Sequence, residues 1–286
     1  MLTLKNPAIL NIDRSFNIPS VPIVLTKILR LVDDDQASAR RLEELILHDP
    51  ALSARILKLA NSAFYSFRNE VKTISHAIAL LGLNLVKSLA IGVSIFESFT
   101  KGLRKEIGCI NQLWMHSFGV GLIGQEIWTR RHKGSEAEFA LLCGLLHDLG
   151  KVVYFKKDGP RYAQLFTMQK VEETPDLCTL ENEHYGVDHT VLGSLIAKQW
   201  GLPPELGAVV RQHHSPLANS PLTAAISMAD MLAKQSGVGY DGDSRITADL
   251  ENLRGLLQMP PGEFEALGAF AESKRADVEE FFEFAS

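Results

Sequence analysis

The chain has 286 residues, 46% of them hydrophobic and 22% charged, which allows one large domain or two small ones around a sizeable core. Its formal net charge is -5, and the excess is local, because residues 241–286 carry 11 acidic and 4 basic side chains. No basic footprint for a phosphate backbone is visible, which argues against direct nucleic-acid binding. Three cysteines, Cys109, Cys143 and Cys178, form no C-x-x-C pair and leave an odd count. That fits a reducing compartment rather than a disulfide framework. The start, MLTLKNPAILNIDRSFN, has no basic n-region followed by an apolar run, so no signal peptide is read. The most apolar stretch, Ile74 to Phe96, is interrupted by His76, Asn84 and Lys87, which favours a buried helical pair over a membrane crossing. The expectation is a cytoplasmic protein with no membrane partner.

Helical periodicity dominates, and no convincing alternating strand appears; Val152-Val153-Tyr154-Phe155 is ambiguous by pattern alone. A first helix begins after Pro22 with Leu25, Ile28, Leu29 and Val32 on one face. A second spans about Ala39 to Leu47 and turns Leu42, Leu45 and Ile46 inward. Asp49-Pro50 is an N-cap followed by a first-turn proline, opening a third helix that runs to Asn61. Thr73 to Leu81 is a fourth, ended by Gly82, and Asn84 is the candidate cap of the next. Further helices are expected near 112–131, 136–150, 189–200, 204–214 and 221–235, with Asp188, Pro204 and Ser220-Pro221 marking three of the starts. Residues 156–188 read as a polar, mixed stretch with a mobile connection, and 237–246 as a loop or linker. Pro260-Pro261-Gly262-Glu263 opens a helical, acidic tail.

Five of these segments put a metal-competent side chain on or near an apolar face: His116, His147-Asp148, His189, His213-His214 and Asp230. A buried polar group must find a partner or cost stability. The economical partner for several imidazoles and two carboxylates is one or two metal ions. The bland alternative is a polar network in which Asp148 and Asp230 accept hydrogen bonds from the imidazoles. Adjacent histidines on a regular helix cannot share a target, but Pro216 implies that the helix is ending, and an unwound last turn would bring His214 inward too. Lys151, one turn beyond His147-Asp148, reads either as a lysine snorkelling to the surface or as a contact for a phosphate oxygen. Among the other histidines, His76 is expected inside and His48, His132 and His184 outside, the last on a loop. Asn61-Ser62 reads as a helix-ending motif, and Cys143-Gly144 as packing.

Gly144-Leu145-Leu146-His147-Asp148-Leu149-Gly150-Lys151 resembles the signature of the HD superfamily of metal-dependent phosphohydrolases. Asp49-Pro50-Ala51-Leu52, Leu59-Ala60-Asn61-Ser62, His76-Ala77-Ile78, Leu81-Gly82, Trp114-Met115-His116-Ser117 and Trp200-Gly201-Leu202-Pro203 narrow the resemblance to the HDOD domain. It implies an all-α, HD-domain-like helical bundle over residues 18–236, with an N-terminal helical lobe at 18–100 and an HD-like lobe at 101–236. Residues 1–17 would then be an arm, and 237–286 a linker and acidic helical tail. The resemblance also implies a bacterial signal-transduction module acting through contacts with an unknown signalling protein. Its enzymatic alternative is a phosphohydrolase of a nucleotide or cyclic dinucleotide, with Asp148 and Lys151 as catalytic residues; a third reading is a di-iron redox or oxygen sensor. Carried over residue by residue, the metal set of the related HD-GYP enzymes is His116, His147, Asp148, His189, His213, His214 and Asp230, for two ions of Fe, Mn, Zn, Ni or Co. Asp148 would bridge, with His116, His147 and Asp230 mainly on one ion and the other three histidines on the second. Ser215-Pro216-Leu217 follows the histidine pair, so the GYP motif is absent, and Gln112 stands where trinuclear sites supply a glutamate, against a third ion.

Overall fold

The computed structural model describes residues 20–29, 31, 35–62, 65, 67–100, 102–103, 106–132, 136–168 and 175–283. Every regular element among them is an α-helix: α1 (Ile23–Leu29), α2 (Asp35–Leu47), α3 (Pro50–Ala60), α4 (Ile74–Leu81), α5 (Leu83–Thr100), α6 (Ile107–Arg131), α7 (Ala137–Leu146), α8 (Leu149–Met168), α9 (Leu177–Tyr185), α10 (His189–Gln199), α11 (Pro204–Gln212), α12 (Pro221–Ser236), α13 (Leu250–Leu256) and α14 (Glu263–Glu283). The expected arm, Val32 and Phe284 lie outside the described residues. None of these helices is long and apolar enough to cross a membrane.

The caps follow the sequence. Asp49 Oδ1 accepts from the amides of Ala51 and Leu52, Asp188 Oδ1 from those of Thr190 and Val191, and Ser220 Oγ from that of Thr223. Each satisfies a donor that the first helical turn leaves free. Asn61 closes α3 and ties it to the chain before α4, donating to the Leu57 and Val71 carbonyls while its Oδ1 accepts from the Val71 amide. Asn84 is not a cap: α5 starts one residue earlier, directly after Gly82. His76 is exposed rather than inside, because Ile74 and Ala77 form the buried face of α4.

Helix α5 packs on α1 to α4 on one side and on α6, α7 and α8 on the other. One continuous core therefore runs from Leu25 to Phe282. The ambiguous run 152–155 is helical and buried throughout, since α8 is enclosed by α5, α6, α9 and α10 and has no wet face there. The stretch 156–188, expected to be polar and mixed with a mobile connection, holds the rest of α8 and all of α9, and residues 169–174 between them lie outside the described residues. Helix α8 kinks at Asp158, two residues before Pro160, whose ring and missing N–H break the helical ladder. The acidic tail is part of the bundle. Phe281 stacks on Phe118, Phe282 lies edge-on to Trp114, and Lys58 Nζ donates to the Phe281 carbonyl at 2.8 Å.

Two close backbone approaches position the chemistry. A Cβ on Gly144 of α7 would lie 2.5 Å from the Gly121 backbone of α6. A Cβ on Gly150 of α8 would lie 2.1 Å from the His189 carbonyl oxygen of α10. Backbone cannot yield as a side chain can, so both contacts require glycine. Gly144→Ala is expected to lower stability by about 1–3 kcal/mol through forced separation of α6 and α7. Urea unfolding that shows an unchanged midpoint would refute this account of the packing.

Candidate metal centre

The helix expected across 136–150 breaks at its most interesting point. Helix α7 ends at Leu146, α8 begins at Leu149, and His147 and Asp148 occupy the turn between them. Both side chains are therefore free of a common helical face and can point into one space. The same device operates after α11, which ends at Gln212, so that His213 and His214 turn inward with ring centroids 4.1 Å apart. His116 comes from the middle of α6, His189 from the first turn of α10 and Asp230 from α12.

All seven metal-competent residues meet. Ligand atoms of Asp148, His189, His213 and His214 lie within 4.8 Å of one another, and so do those of His116, His147 and Asp230. Asp148 stands between the groups: its Oδ1 is 3.4 Å from Nε2 of both His189 and His213, and its Oδ2 is 3.2 Å from His147 Nε2. Asp230 Oδ1 is 2.9 Å from His116 Nε2. His116, His147, Asp148, His189, His213 and Asp230 are 0–5% exposed, whereas His214 is half-buried.

The ring tautomers are set from behind. His147 Nδ1 lies 2.7 Å from the Gly144 carbonyl, and His213 Nδ1 lies 3.0 Å from the Val210 carbonyl. A carbonyl only accepts, so each Nδ1 carries the proton and each Nε2 can present a lone pair inward. Glu181 does the same for His189, accepting from its Nδ1 and from its backbone amide at 2.7 Å each. Tyr162, fully buried, donates to the other oxygen of Glu181 at 2.5 Å. Nε2 of His147, His189 and His213 and Oδ1 of Asp148 are buried and make no hydrogen bond of acceptable geometry among the described residues. Leaving such groups unsatisfied costs about 1–3 kcal/mol each. A cation at their meeting point satisfies all four, and this donor set of imidazole and carboxylate suits a divalent transition ion.

Lys151 is not a surface lysine. It is fully buried, and its Nζ lies 2.8 Å from both Asp148 Oδ2 and Asp241 Oδ2. A second lysine, Lys234, sits 3.1 Å from Asp230 Oδ2 and 3.3 Å from Asp241 Oδ2. Burial opposes charge on all of these groups, yet the mutual attraction prevails. His147 and Lys151 hold the Asp148 carboxyl well below the usual carboxylate range. Lys234 and His116 do the same for Asp230, and Lys151 and Lys234 bring Asp241 down to about 2. Burial pushes the His213 imidazole down to about 4 despite Asp148 beside it.

Sequence reasoning missed Glu181, Asp241, Lys234 and Tyr162. The signal for Glu181 was present, because it shares the buried stripe of α9 with Leu177 and Leu180. His184 and Glu183 lie exposed on the outer face, and His184 sits on this helix rather than on a loop. His48 and His132 are exposed as expected, and Cys143 is wholly buried in packing. Lys151→Met strips one cation from two buried carboxylates and is expected to destabilise the fold by about 3–5 kcal/mol. Chemical denaturation would refute the buried pairing if Lys151→Met unfolded with wild-type stability.

The sequence model of the HDOD domain matches residues 18–216. An uncharacterised protein of Treponema pallidum (strain Nichols) is 28% identical over 227 residues, covering 77% of this chain and 42% of that protein. The chain thus spans less than half the length of the curated relatives it matches. An HDOD domain protein of unknown function from Geobacter sulfurreducens superposes with a TM-score of 0.76 at 24% identity, covering 96% of this chain and 98% of that one. A protein of Shewanella amazonensis SB2B, provisionally assigned as a phosphohydrolase, superposes with a TM-score of 0.72 at 24% identity over 98% of each chain. At that identity the likeness speaks for the fold. Its helical architecture and the match over most of its length agree: the chain belongs to the HDOD domain family.

Proposed function

We propose that this chain is a regulatory module that acts through contacts with a signalling protein and carries a dinuclear transition-metal centre in its core. The observation that supports this best is enclosure. Six of the seven donor residues are 5% exposed or less, and the lysine beside them is not exposed at all. A phosphate ester must touch the reacting centre, whereas a structural or sensing centre needs no such approach. Helix positions follow from the donors, since α6, α7, α8, α10, α11 and α12 all contribute to or border the site. Gain or loss of an ion would therefore be felt at once across the bundle.

A second reading, hydrolysis of a nucleotide or cyclic dinucleotide phosphodiester, draws support from the two donor groups arranged around Asp148. Two divalent ions, when bound, would supply Lewis acidity and an activated water in such a site. The chain's own residues do the positioning. Glu181 fixes the His189 ring, the Gly144 and Val210 carbonyls fix those of His147 and His213, and Lys234 steadies Asp230. Localisation in the cytoplasm accompanies both readings.

Elemental analysis separates these ideas from a metal-free polar network. The wild type is expected to hold about two transition ions per chain, lost in Asp148→Ala. Glu181→Gln should keep the fold but bind metal about 10–100-fold more weakly, because His189 loses its orienting carboxylate. Metal-free wild-type protein that stays folded and takes up none of the five metals on titration would sink the proposal. Turnover of bis(p-nitrophenyl) phosphate by the wild type, abolished in Asp148→Ala, would select the enzyme over the regulatory module.

A further inference from the structure

Charged and apolar side chains also meet away from the centre. A cavity of about 570 Å³ lies between α1, α5, α6, α7, α11 and α12, and none of the seven donor residues lines it. Sites for small organic molecules typically measure roughly 300–1,000 Å³. Most of its wall is apolar, with Trp128 and Phe139 among the lining residues, and four charged side chains join them: Lys87, Glu136, Glu138 and Glu205. Three carboxylates against one ammonium leave an excess of negative charge. Ser88 Oγ donates to the Glu138 carbonyl at 3.0 Å and so ties α5 to α7 within this lining. The Glu138 side chain is half-buried, and its Oε2 is buried with no hydrogen-bond partner among the described residues. A charged oxygen left in that state is costly, and the cavity is the open side from which its carboxylate can be answered.

We propose that this cavity is a binding site for a small organic cation, an ammonium or guanidinium group carried on an apolar body. The sign of the charge follows from the lining. An uncharged ligand would leave Glu138 unanswered, and an anion would add like charge to a space partly shielded from water. An N–H donor that is itself charged meets the Glu138 carboxylate in a charge-assisted hydrogen bond. The apolar body loses its contact with water against the rest of the wall, where aromatic rings also attract a cation over their faces. Glu136 and Glu205 are exposed and draw cations toward the opening. The position matters as well. Helix α7 starts at the cavity and ends at His147-Asp148, and α11 starts there and ends at His213-His214. An occupant would thus sit at the far ends of the two helices that deliver four of the donors. The inference goes beyond the regulatory reading and depends on no metal, so the two can fail separately.

The probe is phenethylammonium, with 2-phenylethanol and 3-phenylpropionate as its uncharged and anionic counterparts. Each is titrated into the full chain by calorimetry at one ionic strength. The ammonium compound is expected to bind at least about tenfold more tightly than either counterpart. Glu138→Gln should remove that preference and leave the binding of 2-phenylethanol unchanged. A chain that takes the alcohol or the acid as tightly as the ammonium compound overturns the proposal, and so does one that takes none of the three. A preference that survives in folded Glu138→Gln overturns it too. Should Glu138→Gln not fold, the exposed Glu205→Gln decides. It must weaken the ammonium compound and spare the alcohol, and an unchanged affinity for the ammonium compound then overturns the proposal.

Discussion

A single buried anion governs this molecule. Asp148 is buried, and its charge must be answered by protein groups or by something the protein holds. Three imidazole nitrogens and one ammonium surround it, two of them from its own turn (His147 and Lys151) and two from distant segments (His189 and His213). The local geometry follows from that demand. The chain leaves the helix at 147–148 so that neighbouring side chains can aim together. Gly150 lets α10 come close enough to deliver His189, and Gly144 lets α7 lie against α6, which carries His116.

Around that centre, carboxylates and ammonium groups alternate: Asp148, Lys151, Asp241, Lys234 and Asp230, the last also bonded to His116. Taking so many charges out of water is expensive, and their attraction repays it only when the geometry is good. Such a chain adds little net stability over a well-packed apolar core. What it gives is discrimination, because any displacement of one helix strands a charge. The arrangement of α6, α8 and α12 is thereby specified more sharply than apolar packing alone would achieve.

Much of this was legible in the sequence, for identifiable reasons. Asp49, Asp188 and Ser220 announced their helices because capping is a local interaction. The seven donor residues announced themselves because a polar residue on an apolar stripe needs a partner. Lys151 was harder. A lysine normally reaches water, and the partner that keeps it inside lies 90 residues away in a segment that looks like a linker. Asp241 sits among glycines, where pattern gives no hint of burial; its role depends on tertiary contacts alone. Glu181 was obscured by the exposed Glu183 and His184 beside it, although the spacing with Leu177 and Leu180 placed it inside. The run 152–155 looked undecided because a helix buried on every side has no periodicity to display.

The family match stops at residue 216, but the centre does not. His147, Asp148, His189, His213 and His214 lie within the matched stretch, whereas Asp230, Lys234 and Asp241 follow it. The boundary of inheritance thus passes between His116 and its carboxylate partner. Chains alike over the first stretch can diverge in the second and lose Asp230 from the group that it forms with His116 and His147. Descent recorded in the matched part is therefore silent about the carboxylate of Asp230 and about the charged residues Lys234 and Asp241 beside it, and relatives must be compared at the residues that follow it.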